Sequence, residues 1–404
     1  MRNRGKWRKW LWWGHLVLGL TAGAVIALLA ATGIVMSLET AVVGWADKRL
    51  VLANGPAVPV DTGVVAAVLK SARQRFPQLR DPVLVVSADP AAPLVFRAMR
   101  GERHLYHPSS GEYLGTGPTG YQRFFQAVTS LHRWLTVAAP QAGSSGERSG
   151  WRDWGGQITA AACLAYVLLT LSGLVLWAKR VSSWPVFRTK VFFRWGLPGK
   201  ARDWNWHHAA GIWASPLVLV ISLCGLIMAY PSANRLLFAA FGETPPARQA
   251  QEPRGGNGAP AGSRADRRNT PTAGAVNATE VAELIHAAVR EVPQWRQLEI
   301  APPGQKTPTL WAVTVSDAGR GRPDRRKMLE FEATTLRFLD RQSGSSESPA
   351  VRARRVIRWI HTGEAGGWWG QLLAVTACMA TLVLVWTGMA LSWRRFFSIR
   401  IKHP

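Results

Sequence analysis

Four stretches of 21 to 23 residues, Leu16–Leu38, Ile158–Ala178, Ala209–Tyr230 and Gln371–Trp393, contain no Asp, Glu, Lys or Arg. At 1.5 Å per residue each forms a helix of roughly 33 Å, enough to cross the hydrocarbon core of a bilayer. A helix also satisfies its own backbone hydrogen bonds, which a lipid environment demands. The pattern predicts an α-helical polytopic membrane protein with four transmembrane helices. Hydrophobic residues make up only 48% of the 404-residue chain because long polar segments separate the spans.

The formal net charge of +25 suggests nucleic acid until its distribution is read. The N-terminal decapeptide, the Lys179–Arg202 loop and the tail from Arg394 carry 16 basic residues against one neighbouring acid, Asp203. Short basic loops stay on the cytoplasmic side, so both termini are expected inside and the two long segments outside. The charge is therefore a membrane-topology signal, and no nucleic-acid partner is expected. Tryptophans cluster at span ends (Trp10, Trp12, Trp13; Trp204, Trp206; Trp368, Trp369), as in an interfacial aromatic belt. The first span is too long for a signal-peptide core and no small-residue cleavage site follows it, so it reads as a retained anchor. All three cysteines lie within spans. The exterior segments therefore have no disulfide framework, and no Cys-x-x-Cys-His is present for covalent haem attachment.

The spans divide the chain into nine segments. Residues 1–38 hold the N-terminus and first span, and 39–151 a first exterior module ending in an amphipathic helix. The second span lies in 152–178 and a basic loop in 179–206. The third span is 207–230, followed by an exterior segment, 231–276, whose stretch from Thr244 to Ala275 has too few apolar residues to pack and reads as a disordered linker. A second exterior module fills 277–367, the fourth span 368–393 and the tail 394–404. In the first module a helix is expected from Asp61 to Phe76, with strands at Pro82–Ser87 and Pro93–Met99. A strand–turn–strand then runs through His104 to Gly115. Tyr121 to Val137 is amphipathic. In the second module a helix is expected at Thr279–Glu291 with Thr279 as its N-cap, then strands near Leu310–Val315 and Met328–Phe331. Two small α+β modules result, one per exterior segment.

The chain also repeats itself. His15-x3-Gly19 followed by Gly33-Ile-Val-Met36 matches His207-x3-Gly211 followed by Gly225-Leu-Ile-Met228 with the same spacing. More loosely, Leu131-His132 before Trp154-Gly-Gly-Gln157 matches Ile360-His361 before Trp368-Trp-Gly-Gln371. Each half continues with Ala-Cys and, ten residues on, a glycine (Gly173, Gly388). Four histidines thus recur in pairs by depth: His15 and His207 at the inner ends of spans, His132 and His361 outside. An isolated interfacial histidine ordinarily hydrogen-bonds headgroups or loops. Two at one depth on neighbouring helices can clamp a haem iron axially, with Gly19 and Gly211 letting a flat macrocycle approach the backbone. His208 would point about 100° from His207 and is expected beside the site. Asp203 either caps its helix or orients a histidine. His104 and His107 fall on opposite faces of a strand and make a poor metal pair. No ligand cluster for zinc, no Gly-x-Gly-x-x-Gly and no Walker pattern appears.

Together, His15-x3-Gly19, Ser130-Leu-His132-Arg-Trp134, Asp203-x3-His207-x3-Gly211 and Ile360-His361-Thr-Gly363 resemble the PepSY-associated transmembrane family, also described as iron-regulated membrane proteins. Tyr106-His-Pro108-Ser-Ser-Gly111-Glu is similar to the end motif of a PepSY module. The resemblance covers nearly the whole chain outside the linker. It implies a bacterial inner-membrane protein with four spans, two periplasmic PepSY-like modules and two b-type haems held by His15, His132, His207 and His361. In one branch it implies reduction of a ferric siderophore, with electrons from quinol or a separate cytoplasmic reductase. Two features depart from the pattern: Thr136 replaces an expected glycine, and Phe331-Glu-Ala-Thr-Thr335 replaces a Pro/Gly turn. The alternatives are an electron-transfer subunit for a different reductase and a haem-free PepSY scaffold or sensor that binds a partner protein.

Overall fold

The computed structural model describes residues 6–77, 82–97, 103–117, 119–137, 147–178, 183–245, 278–303, 310–316, 326–332, 335, 337–342 and 348–397. Residues 246–275 of the expected linker, and His403, lie outside these. The chain forms two compact units, one from residues 1–40, 120–241 and 350–404 and the other from 41–119 and 242–349.

The first unit is helical. Four long helices, α1 (Lys6–Ser37), α5 (Glu147–Ala178), α7 (Gly199–Ala229) and α11 (Gly367–Phe396), contain the four charge-free stretches. Each is long and apolar enough to cross a membrane. α1 and α7 each pack against both α5 and α11, so the four form a bundle with α1 diagonal to α7. Its interior seam is made of small residues, Ala214, Val218 and Ala377, which allow close helix approach. Tyr166 and Thr381 link α5 to α11 through a 2.6 Å hydrogen bond. Outward-facing Val17, Leu20, Leu168, Val220, Leu372 and Leu373 are exposed. So continuous an apolar surface requires lipid around it.

Shorter helices of this unit surround the bundle. They are α4 (Thr119–Trp134), α6 (Trp184–Val191), α8 (Pro231–Ala239) and α10 (Pro349–Thr362). After α10 the chain turns through Gly363 (φ 76°) and a 3-10 turn, Glu364–Gly366. A Cβ at Gly363 would lie 2.7 Å from the Gly370 carbonyl oxygen. Gly363 therefore packs the turn onto α11, and the space a larger residue would need is already filled. After α4, the left-handed position falls on Leu135 (φ 52°), the residue before Thr136.

The second unit joins the segment between α1 and α5 and the segment between α7 and α11 in one eight-stranded antiparallel sheet, ordered β4-β3-β2-β1-β5-β6-β7-β8. The first segment supplies β1 (Val83–Ser87), β2 (Leu94–Arg97), β3 (Arg103–Tyr106) and β4 (Tyr113–Gly115). The second supplies β5 (Gln297–Ala301), β6 (Leu310–Ser316), β7 (Arg326–Glu332) and β8 (Phe338–Gln342). Where two modules were expected, β1 pairs with β5 (Leu84 opposite Ile300) and the halves share one core. Helices α3 (Thr62–Arg75) and α9 (Ala278–Glu291) pack together and contribute to it through Val65, Leu69, Val281 and Leu284. Asp61 caps α3 by accepting from the Gly63 amide at 2.5 Å. Thr279, expected to cap α9, lies inside it, because the helix already includes Ala278. The remaining helix, α2 (Glu39–Ala53), places a buried Asp47 against Arg103.

Candidate functional site

The four repeated histidines all lie in the helical unit, and each is held in the same way by a neighbouring helix. His15 of α1 has Nδ1 2.8 Å from Ser172 Oγ on α5. His207 of α7 has Nδ1 3.0 Å from Thr387 Oγ1 on α11. His132 of α4 has Nδ1 2.8 Å from Thr32 Oγ1 on α1. His361 of α10 has Nδ1 2.9 Å from the Ile221 carbonyl on α7.

These partners favour one tautomer. A serine or threonine hydroxyl has one proton, and each of the three spends it on its own helix: Ser172 on Leu169 O at 3.1 Å, Thr32 on Leu28 O at 2.7 Å and Thr387 on Val383 O at 2.6 Å. The hydroxyl oxygen is then left to accept, and the Ile221 carbonyl can only accept. The Ile221 carbonyl requires His361 to donate from Nδ1 and leaves its lone pair on Nε2, and the three hydroxyl oxygens are placed to accept the same bond from His15, His207 and His132. An outer hydrogen bond of this kind is what orients a metal-ligating histidine.

Each ring also lies over a glycine. A Cβ at Gly173 would sit 3.3 Å from His15 Cε1, one at Gly388 3.4 Å from His207 Cε1, and one at Gly225 3.0 Å from His361 Cε1. At Gly33 the corresponding distance to His132 Cε1 is 3.9 Å. Cysteines complete the two latter contacts, Cys163 beside Gly225 and Cys378 beside Gly33. The sequence marks these glycines as repeated but offers no reason for them, because each belongs to a helix other than its histidine's. Gly19 and Gly211, expected beside the histidines, line the same cavity, and a Cβ at either would meet Leu169 or Leu384 at an ordinary 3.8 or 3.7 Å.

His15 and His207 line one cavity of about 420 Å³ together with Gly19, Gly173, Gly211 and Gly388. The volume lies in the range of cofactor sites. The cavity thus brings His15 and His207 together, whereas His132 and His361 are placed by separate contacts, His132 on α1 and His361 on α7. His208 lines the same cavity, but its Nδ1–H donates to the Trp204 carbonyl at 2.8 Å and its ring lies against Trp204. Asp203 orients no histidine. It is buried between Arg202, at 2.9 Å, and Arg394.

His104, His107 and His286 belong to the second unit. His104 is buried in the sheet unit, stacked on Phe76 with ring centroids 3.6 Å apart and hydrogen-bonded to the Tyr113 hydroxyl. His107 is also buried and accepts at Nδ1 from the amides of Ser109 and Ser110. His286 is exposed on α9. Among the described residues, no group of three or more His, Cys, Asp or Glu gathers to hold a bare ion.

Four long apolar helices, a lipid-type surface and an antiparallel sheet define a polytopic membrane protein with a folded, non-spanning unit. The family described as the PepSY-associated TM region matches residues 12–395, and the chain belongs to that family. A comparison with curated proteins returns no match.

Proposed function

We propose that the protein is a bacterial inner-membrane b-type cytochrome with two haems that passes electrons to a ferric siderophore in the periplasm and so releases its iron. The observation that carries this reading is the fourfold arrangement of imidazole, Nδ1 acceptor and underlying glycine. The residues fit the group. A paired set of imidazoles supplies two donors and no more, and a porphyrin brings four of its own. The glycine floors leave room beside the rings, and the cavity lining is mostly apolar, with Leu16, Leu169, Leu174 and Leu384 in it.

His15 and His207 would hold one haem at the cytoplasmic end, and His132 and His361 the other at the periplasmic end. When bound by these imidazoles, haem would supply one-electron transfer. The protein's own part is to favour one ligand tautomer through Ser172, Thr387, Thr32 and Ile221, and to exclude water with apolar helices. Siderophores are hard oxygen donors that hold ferrous iron more weakly than ferric iron, so a one-electron reduction releases the metal. The sheet unit, a pair of PepSY modules in this reading, would face the periplasm and meet the chelate, with both termini in the cytoplasm. Quinol or a separate cytoplasmic reductase is the electron donor.

The purified full-length chain should be red and show a single b-type α-band on dithionite reduction. A colourless, folded preparation from haem-replete cells would overturn this reading in favour of a haem-free scaffold. A local prediction accompanies it. In Gly225→Ala the new methyl meets His361 Cε1 at 3.0 Å and Cys163 Sγ at 3.3 Å, so the imidazole must give by a few tenths of an ångström against its hydrogen bond to the Ile221 carbonyl. Overpacking of this kind costs about 1–3 kcal/mol. Haem at the periplasmic pair should fall in Gly225→Ala and stay normal in Gly211→Ala, where the new contact is an ordinary 3.7 Å. Pyridine-haemochrome content per chain measures both.

A further inference from the structure

The His15–His207 cavity has two chemically different ends. One end is apolar and set within the bundle, where Ile26, Tyr166 and Val218 line it. At the other, where α7 begins and α11 finishes, the lining includes Lys200 and Arg395 among Trp12 and Trp204. No Asp or Glu lines the cavity among the described residues.

The nearest acid is already committed. Asp203, one helical turn after Lys200, is buried between Arg202 and Arg394, and this ion pair ties the start of α7 to the end of α11. Lys200 and Arg395 flank that knot, and neither has a carboxylate within ion-pair distance among the described residues. Arg395 lies over the Trp12 ring, its guanidinium 4.2 Å from the ring centroid, which holds it at the cavity end without neutralising it. Two uncompensated cations at one end of an otherwise apolar cavity call for an amphiphilic ligand with negative charge at one edge.

We propose that Lys200 and Arg395 form a clamp for the two propionate carboxylates of the haem held by His15 and His207. The clamp sets which edge of the macrocycle faces the start of α7. The inference rests on the haem reading and adds the ligand's orientation and the residues that read its charge. Arg395 is suited to a planar carboxylate and Lys200 to a point contact. Both side chains are exposed, so the clamp is worth less than a buried ion pair.

The test compares haemin with haemin dimethyl ester, which has the same macrocycle and no propionate charge. Both are titrated by absorbance into the full-length chain purified from haem-deprived cells, carrying His361→Ala so that only the His15–His207 pair is intact. The parent should bind haemin about tenfold more tightly than the diester, the ratio that corresponds to about 1.4 kcal/mol. Lys200→Ala/Arg395→Ala should lose that preference by weakening haemin alone, and Lys200→Arg/Arg395→Lys should keep it. Equal affinity of the parent for both ligands would overturn the clamp and leave the haem reading standing, as would an unchanged preference in the double alanine variant. Uptake of neither ligand by a chain that remains folded by circular dichroism would overturn both.

Discussion

His15→Ala should remove about half of the haem and leave the rest with an unchanged spectrum, since a span separates the two pairs by roughly 30 Å, beyond the reach of one iron. His15 is held by Ser172 and Gly173 of α5 and faces the cavity it shares with His207 of α7. His132 rests on Thr32 and Gly33 at the other end of α1, and His361 on α7 near Gly225. No residue that holds one pair also holds the other, so losing one imidazole vacates one site. Ser172→Ala should be milder. It removes the acceptor that fixes the ring but keeps the ligand, a change that typically weakens metal binding 10–100-fold. Pyridine-haemochrome content and the low-temperature α-band would measure both variants. Equal loss of both haems from a well-folded His15→Ala protein would refute the pairing.

The parts of this arrangement legible in the sequence are those written in local patterns. A charge-free run of more than 20 residues has one stable form in lipid, so the four spans can be read directly. Helix α2 is obscured because Glu39, Asp47, Lys48 and Arg49 interrupt its apolar pattern. Strand β5 is short and holds Gln297 and Glu299 on the face opposite Leu298 and Ile300. Its pairing with β1 joins segments more than 200 residues apart. No local pattern encodes that register, and for this reason two modules were expected where one sheet forms. The histidines stand out because they recur, whereas their supports do not: Ser172, Thr387 and Thr32 are ordinary helix residues until another helix presents an imidazole. Gly19 and Gly211 line the cavity as their nearness in sequence suggests, whereas the contacts of Gly173 and Gly388 with the rings come from other helices and are not legible locally.

In His361→Ala membranes, ferric-siderophore reduction should collapse while the haem at the His15–His207 pair still accepts electrons from quinol or a cytoplasmic donor. His361 lies at the end of α10, two residues before the tight turn at Gly363 that brings the chain into α11. At Gly363 that turn is packed against Gly370 and Gln371 as a tight joint, while Gly366 and Gly367 have open space beside them. The joint still serves the site, since it sets where α10 ends and holds His361 over Gly225 with Nδ1 on the Ile221 carbonyl. This acceptor is a backbone group that mutation cannot remove, whereas the other three histidines rest on side-chain hydroxyls. Losing the His361 imidazole therefore deletes a ligand whose surroundings stay formed, which makes the variant a clean probe of the exit site. Stopped-flow reduction with quinol would follow the surviving haem, and a ferrous-specific chelator would follow released iron. A His361→Ala protein that lacks the haem of this pair yet reduces the siderophore at the parental rate would refute electron exit through the His132–His361 pair.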